Sequence, residues 1–261
     1  MFRKLYKNKS TILRLSISDF KMRFSGSYFG LLWAIVQPLM TILVFWFVFQ
    51  VGFRAKTIKD VPFILWLISG MVPWNFFQDG WINGNSTFTS YSFLVKKVIF
   101  DIEILPIVRV TASFIMNMFF HIILIIVFLI YGKFHFFFIL PLLYYNFCLY
   151  LLILSLSLIT SVINIFFKDM TQILGIILQF GIWMTPIMWM ENIIPKKYLW
   201  LFELNPMFYI VTGYRKTLLE NNFIYSGFLH NSGIFFLKIF LFFGIGIFIY
   251  KKSKSHFADV L

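Results

Sequence analysis

The chain has 261 residues, of which 60% are hydrophobic, 22% aromatic and only 13% charged. Soluble globular proteins carry about a quarter charged residues, so this composition excludes an ordinary soluble domain and predicts a polytopic membrane protein folded as one bundle. The net charge of +13 does not indicate a nucleic-acid partner, because the basic residues gather at the ends of apolar runs, where they set topology and contact anionic lipid.

The first predicted element is an amphipathic helix that precedes the first long apolar run. Its apolar face carries Leu13, Ile17, Phe20 and Phe24, and its opposite face carries Arg14, Ser18, Lys21 and Ser25. This segregation is typical of a helix lying in the membrane interface with its basic side towards anionic head groups. The alternative, a soluble amphipathic helix before a buried one, is disfavoured by the composition. Gly26 and Gly30 permit a sharp bend into the next helix.

Six apolar stretches follow that are long enough to cross the roughly 30 Å hydrocarbon core. They cover about residues 30–51, 62–82, 104–131, 136–166, 170–190 and 233–250. No cleavable secretory signal is recognisable, so we expect the first crossing helix to act as an uncleaved insertion signal. Both termini are predicted to be cytoplasmic (residues 1–29 and 251–261), because most of the 23 Lys and Arg residues then fall in inner segments.

The connector between the fifth and sixth spans, residues 191–232, is long and half apolar. Pro195 and Pro206 divide it into pieces too short to cross a membrane. Its charged residues include Glu191, Lys196, Lys197, Glu203, Arg215, Lys216 and Glu220. We predict two short helices that enter the membrane from the outer face and return to it. The predicted fold class is therefore all-α, with six transmembrane helices, an N-terminal in-plane helix and two re-entrant helices before the last span.

Several spaced residues resemble the signature of ABC-2 type permeases that export polysaccharides, which move lipid-linked O-antigen, capsule or teichoic acid. Near the N-terminus the matching residues are Asp19, Lys21, Arg23, Ser27, Gly30, Trp33 and Pro38, with Phe24 where the family more often has Tyr. Phe166–Asp169 resembles a Phe-Phe-Arg-Asp motif of the family, with Lys168 in place of Arg. The resemblance runs from about Ser18 to Glu220. It implies a single transmembrane domain over residues 1–261 in the bacterial cell (inner) membrane.

A separate ATPase subunit is implied by the same resemblance. The chain has no G-x-x-x-x-G-K-[ST] loop and no Asp-rich magnesium site, so ATP and magnesium would bind the partner, and this chain would bind no cofactor. The connector after the second span matches the family's ATPase-coupling segment at Leu94, Lys96, Lys97, Phe100, Glu103 and Pro106. Asp101 and Ile102 depart from the family's usual proline and basic residue there. A short amphipathic helix would dock in a groove of the ATPase; alternatively, the lysines hold a loop at the head groups.

The resemblance also implies a route for the polymer. Two copies of the chain and two ATPase subunits would form the exporter, and lipid-linked polysaccharide would approach at Asp19, Lys21, Arg23, Ser27, Gly30 and Trp33. Thr185–Trp189 and Asn205–Arg215 resemble stretches that form an outer gate. The gate residues carried over are Pro186, Asn205, Pro206, Tyr209 and Arg215.

Polar side chains inside the predicted spans fit two roles. Those on the third and fourth spans are Asn117, His121, Ser155, Ser157, Thr160, Ser161 and Asn164. Hydrogen bonding between helices accounts for them without a transport role. Gln172, Gly175 and Gln179 share a face of the fifth span and are the candidates for a conduit that binds sugar hydroxyls. The tryptophans near span ends are predicted as interface anchors, with a place on the path as the alternative; they are Trp66, Trp74, Trp81, Trp183, Trp189 and Trp200.

Three other functions fit parts of the sequence. An ABC-2 permease for a drug or small lipid would share the spans and the coupling segment but would need no sugar-lined path. A membrane glycosyl- or phosphosugar transferase needs paired carboxylates for metal or base chemistry. The inner-side acids Asp19, Asp79, Asp101, Glu103 and Asp169 include no DxD pattern. A secondary transporter is disfavoured by the shortage of ionisable groups at mid-membrane. The single cysteine, Cys148, provides neither a disulfide framework nor a metal cluster.

Overall fold

The computed structural model describes residues 8–25, 28–30, 32–52, 61–96, 101–190 and 193–260. Every regular element in these ranges is helical, which confirms the all-α class. In chain order the helices are α1 (Lys9–Phe24), α2 (Leu32–Trp46), α3 (Phe63–Asn85), α4 (Thr87–Ser90), α5 (Ser92–Val95), α6 (Leu105–Ile130), α7 (Ile139–Phe166), α8 (Met170–Met184), α9 (Lys196–Glu203), α10 (Pro206–Glu220), α11 (Phe228–Ser253) and α12 (Phe257–Val260). The predicted site residues Ser27, Lys97 and Phe100 lie outside the described residues.

Four of the described segments are long and apolar enough to cross a membrane. They are Ile35–Gly52, Ile102–Ile130, Phe136–Phe166 and Phe228–His256, and they coincide with the first, third, fourth and sixth predicted spans. The first of them includes α2 and a π-helical extension, Phe47–Gly52. The second predicted span is α3, a helix of 23 residues that carries Asn75, Gln78 and Asp79. Since α3 packs against α6, α7 and α10 at the centre of the bundle, it does not need a continuous apolar surface towards lipid.

The fifth predicted span is shorter than the sequence indicated. Helix α8 has 15 residues and ends at Met184, so it is about 22 Å long and does not reach across the hydrocarbon core. The backbone of Thr185 is extended, with φ −105° and ψ 137°, because the residue before a proline is sterically pushed out of the helical region. Pro186 therefore ends the helix six residues before the predicted boundary.

The main hydrophobic core lies between α3, α6, α7, α10 and α11. Three tryptophans of α3 are part of it: Trp66, Trp74 and Trp81 are only 4%, 2% and 8% exposed. The prediction that they anchor the interface is therefore wrong, because α3 is surrounded by other helices. Trp183 and Trp200, in contrast, are more than half exposed.

A second, smaller core joins the connector after α3 to the ends of α7 and α11. Its buried residues are Phe88, Tyr91, Val95, Ile102, Leu105, Val162, Ile165, Tyr250 and Phe257. Phe257 is 1% exposed, and its ring centroid lies 5.2 Å from that of Phe88 and 5.8 Å from that of Tyr250. The C-terminal helix α12 is thereby packed onto the predicted coupling region.

The long connector after α8 contains the two short helices expected from its prolines. Pro195 directly precedes α9, and Pro206 is the first residue of α10, where its fixed φ suits a helix start. Most of α10 is buried against α3 and α7. Helix α10 is thus part of the bundle rather than a surface element.

Candidate functional site

The buried carboxylate of Asp19 holds α1 on the bundle. Asp19 is 3% exposed. Its Oδ2 accepts hydrogen bonds from Arg23 Nε and Nη2 at 3.0 and 2.9 Å. Its Oδ1 accepts a bond from the Tyr91 hydroxyl at 2.7 Å and lies 3.1 Å from Arg109 Nη1. One buried charge therefore ties α1 to α6 and to the residue between α4 and α5, and its partners offset the cost of removing it from water.

Arg23 connects this cluster to α3 and makes further contacts with α6. Its Nη1 donates to Ser113 Oγ at 3.0 Å and lies 3.4 Å from Asp79 Oδ2, and its Nη2 donates to the Arg109 carbonyl at 3.2 Å. Burial raises the pKa of the Tyr91 phenol well above its ordinary value, and the hydrogen bond to Asp19 contributes a smaller increase. Tyr91 therefore remains a protonated donor to Asp19 throughout the physiological pH range.

The face of α1 that packs on the bundle is only partly its apolar stripe. Ser16 and Asp19 are buried, whereas Leu13 and Ile17 are 55% and 40% exposed. Leu13 and Ile17 are thus available for lipid, but Phe20 of the same stripe packs against the main core, so the in-plane placement stays a prediction. The packing face was missed because it is polar; the Asp19–Arg23 pair, spaced i and i+4, was the one local signal for it.

The other residues predicted for polymer access are spread around the start of α2. Lys21 is exposed on α1. Gly30 has φ 47°, a left-handed conformation that glycine adopts without strain and that turns the chain towards α2. Trp33 is 52% exposed. The structure thus brings Asp19 and Arg23 together, the half-exposed Trp33 lines the same cavity as Arg23, and Lys21 lies at the surface.

The described residues of the coupling segment are partly buried in the second core and partly exposed. Two single-turn helices, α4 and α5, lead into this segment, and the predicted amphipathic helix falls mainly on residues 97–100, outside the described residues. Leu94 is half-buried, and Lys96, directly after α5, is exposed. Glu103 forms an ion pair with Lys254 at 3.3 Å. The exposed Lys96 thus lies beside the second core, which fixes its backbone.

The three predicted conduit residues share the open face of α8. Gln172, Gly175 and Gln179 are all exposed, and Leu174 and Leu178 are the buried residues of this helix. A methyl group built on Gly175 would meet nothing within 4 Å. Helix α2 is similarly uncovered, since only 6% of the window Ile35–Gly52 is buried.

Arg215 joins the predicted outer-gate helix to the turn after α8. It donates to the carbonyl oxygen of Pro186 and, at 2.7 Å, to that of Ile187. Its guanidinium carbon lies 3.7 Å from the ring centroid of Trp66 on α3, within the range of a cation–π interaction. Arg215 thereby connects α3, α10 and the turn after α8.

Asn205 and Tyr209 complete the attachment of α10. Asn205 caps the helix by accepting from Met207 N at 3.0 Å, and its amide donates to Thr185 Oγ1 at 2.8 Å. The Tyr209 hydroxyl lies 2.8 Å from Ser232 Oγ and 3.0 Å from the Tyr144 hydroxyl. Of the five predicted gate residues, Pro206, Tyr209 and Arg215 therefore lie on α10. Asn205 caps this helix, and Pro186 lies in the turn to which Arg215 is hydrogen-bonded.

A buried polar network crosses the middle of the bundle. Asn117 Nδ2 donates to Asn146 Oδ1 at 2.9 Å, and Asn146 Nδ2 lies 2.7 Å from His121 Nε2. His121 Nε2 is also 2.9 Å from the Tyr214 hydroxyl, and Nδ1 is 2.9 Å from the Asn117 carbonyl. A neutral imidazole protonated on Nδ1 satisfies all these contacts, since Nε2 then accepts. Helix–helix hydrogen bonding thus accounts for Asn117 and His121.

The serines of α7 also have packing roles. Ser155, Ser157 and Ser161 are buried. A methyl group built on Gly84 would lie 2.0 Å from Ser157 Oγ, so α3 and α7 approach each other through these two small residues.

Among the described residues, no group of three or more His, Cys, Asp or Glu side chains is placed to hold a metal ion. The structure thus describes a polytopic helical membrane protein with its polar contacts concentrated at the two ends and in one central network. The sequence profile described as ABC-2 type transporter matches residues 11–219. The chain belongs to this family, which confirms the resemblance found in its motifs.

The names of the chain's relatives describe export or transport proteins. It is 29% identical over 252 residues to an O-antigen export system permease protein RfbA of Klebsiella pneumoniae, covering 93% of this chain and 92% of that protein. It is 24% identical over 226 residues to the RfbA protein of Myxococcus xanthus, covering 85% of each. The polysialic acid transport protein KpsM of Escherichia coli is 25% identical over 248 residues, covering 92% of this chain and 93% of KpsM.

Proposed function

We propose that this chain is the membrane permease subunit of an ABC exporter that moves lipid-linked polysaccharide across the bacterial inner membrane. The observation that carries the proposal is the match to O-antigen export permeases over more than nine-tenths of the chain. The described structure is compatible with this function, because its one buried carboxylate among the described residues, Asp19, is occupied by Arg23, Arg109 and Tyr91. The chain itself would catalyse no bond change.

A separate ATPase would supply the energy, in a complex of two permease and two ATPase subunits that holds ATP and magnesium on the ATPase. The exposed Lys96 supports docking at the coupling segment, residues 94–103, because it directly follows Val95, a buried residue of the second core, and so presents its charge at the surface. Glu103, which forms an ion pair with Lys254, would lie at the edge of this surface. The ATPase would then contact the coupling segment and the C-terminal helix α12 together.

The proposed topology has six spans and both termini in the cytoplasm. Helices α3 and α8 would be the second and fifth spans. Because α8 is only about 22 Å long, residues 185–190 would complete its crossing before the re-entrant α9 and α10. The burial of α10 supports this arrangement, since irregular backbone at membrane depth needs shielding by protein. In a Cys148→Ser background, a cysteine at Asn221 should react with an impermeant thiol reagent added outside. Labelling from the cytoplasm alone would contradict the topology.

The polymer would travel between two copies of the chain. The exposed Gln172 and Gln179 on α8 support this, because polar side chains are costly against lipid and are better placed facing a second copy or a polar path. Gln172, Gly175 and Gln179 would line the conduit. Lipid-linked polymer would approach beside α1 and leave past α10, which Arg215 and Asn205 attach to the turn after α8.

Isolation of the complex tests the proposal most directly. A Walker-motif ATPase should co-purify with this chain in a 2:2 ratio, and deletion of the chain should leave lipid-linked polysaccharide inside the cell. Absence of the ATPase would exclude an ABC exporter. An ATPase complex without polymer accumulation would favour a permease for a drug or small lipid.

A further inference from the structure

The segment that follows α11 is attached to the protein through one buried side chain. Helix α11 ends at Ser253, a 3-10 turn follows at Lys254–His256, and α12 begins at Phe257. We call residues 254–260 the C-terminal segment. Among its described side chains, only that of Phe257 is buried, with 1% of its surface exposed. The contacts of this one ring therefore decide where the C-terminal segment lies.

Phe257 brings three helices together. Its ring centroid lies 5.2 Å from that of Phe88 on α4, 5.8 Å from that of Tyr250 on α11 and 6.3 Å from that of Phe166 at the end of α7. Phe88 is fully buried, and Phe257 and Tyr250 both pack against its ring. Helix α4, which begins the connector after α3, is therefore covered in part by the C-terminal segment.

A second contact lies at the other end of the coupling segment. Lys254 Nζ is 3.3 Å from Glu103 Oε1, and Glu103 is the last residue of the predicted segment 94–103. Since Phe88 precedes that segment and Glu103 ends it, the C-terminal segment contacts the connector on both sides. Both side chains of the ion pair are partly exposed, so water weakens it, and the buried ring of Phe257 provides most of the attachment.

The separation of the two hydrophobic cores makes this attachment local. Phe257 belongs to the second core and not to the main one. The three tryptophans of α3, Trp66, Trp74 and Trp81, belong to the main core. A change at Phe257 is therefore expected to loosen the second core while the main core persists. This difference separates a role in positioning the connector from a general role in folding.

We propose that the C-terminal segment positions the coupling segment for the ATPase, with Phe257 as the positioning residue, an inference that rests on the proposed function. Contacts at Phe88 and at Glu103 restrict the chain between them, as the closure of a loop does. A segment that is ordered before docking loses less conformational freedom when it binds. The C-terminal segment thus raises the affinity of the permease for the ATPase by holding the residues that make the contact.

Hydrogen exchange of the whole chain in lipid nanodiscs tests the local order first. Phe257→Ala should increase exchange of the amides of residues 86–96, because Phe88 loses the ring that covers it, while exchange in the middle of α3 should stay as in the wild type. Phe257→Leu, which keeps a large apolar side chain, should restore most of the protection. His256→Ala, at the adjacent exposed side chain, is the matched control and should change nothing.

Docking is then measured on the same variants with the ATPase that co-purifies with the wild-type chain. This ATPase is purified separately and titrated onto the nanodiscs, and its Kd is determined by biolayer interferometry. Phe257→Ala should raise the Kd about tenfold, the cost of ordering one or two side chains only on docking. Phe257→Leu should raise it less than about threefold, and Lys254→Ala about twofold, because the ion pair is partly exposed.

Each other outcome overturns the inference in a distinguishable way. Unchanged exchange in residues 86–96, or increased exchange with an unchanged Kd, would remove the positioning role. Loss of protection in the middle of α3 as well would make Phe257 a general folding residue. Wild-type nanodiscs that bind no ATPase would refute the proposed function, and this inference with it. Equal binding by the wild type and Phe257→Ala would leave the proposed function intact and remove only this inference.

Discussion

Replacing Asp19 by asparagine is expected to lower the free energy of unfolding by about 3 kcal/mol. Removing one partner of a buried ion pair typically costs about 3–5 kcal/mol, because the remaining charge is left buried and unpaired. The side chains of Arg23 and Arg109 are 14% and 12% exposed, so water compensates little. The lower end of the range applies because Arg23 retains Asp79 at 3.4 Å and asparagine can still accept from Tyr91.

Unfolding can be followed by tryptophan fluorescence as the purified protein is titrated with SDS in mixed micelles. Asp169→Asn, at the exposed turn between α7 and α8, is the matched control and should change stability by less than about 0.5 kcal/mol. In a double-mutant cycle, Asp19→Asn with Arg109→Met should cost about 1–3 kcal/mol less than the sum of the single variants. Additive effects, or an Asp19→Asn loss no larger than the control's, would refute the role assigned to this carboxylate.

Three further predictions concern the coupling segment, the conduit face and the gate helix. Lys96→Glu should release the ATPase while membrane insertion is preserved; an intact complex on size-exclusion chromatography would place docking elsewhere. Gln172→Leu combined with Gln179→Leu should reduce polymer export while basal ATP hydrolysis persists, and unchanged export would return both residues to a packing role. Arg215→Lys should destabilise the protein by about 2 kcal/mol in the same SDS titration, because lysine can neither bridge two carbonyls in a fixed fork nor stack flat on an indole; a loss below about 0.5 kcal/mol would contradict this.

Hydrophobic periodicity was sufficient to predict the helices that face lipid. The four apolar spans were found within a few residues of their ends, because lipid-facing helices have to be apolar along their whole length. The early end of α8 was also encoded locally, in the Thr185–Pro186 pair, although the apolar composition of residues 185–190 concealed it. Span positions and the end of a helix before a proline depend on local chemistry, so they can be predicted from the sequence alone.

Contacts between distant segments could not be predicted in this way. Asp19 and Arg109 are 90 residues apart in the chain, and no periodicity within either helix indicates that they meet. The burial of Trp66 and Trp74 was missed for the same reason, since their depth depends on which helices surround α3. The gate residues Asn205 and Arg215 were identified by family resemblance, but their partners, Thr185 and the carbonyls of Pro186 and Ile187, are visible only in three dimensions.

The polarity of α3 has a consequence for biosynthesis. This helix is made before α6 and α7, the neighbours that cover its surface, and it is not among the segments apolar enough to cross a membrane alone. With Asn75, Gln78 and Asp79 in its sequence, it gains little by leaving the translocon for lipid. We therefore expect α3 to enter the membrane together with the later helices that cover it, rather than on its own in the order of synthesis.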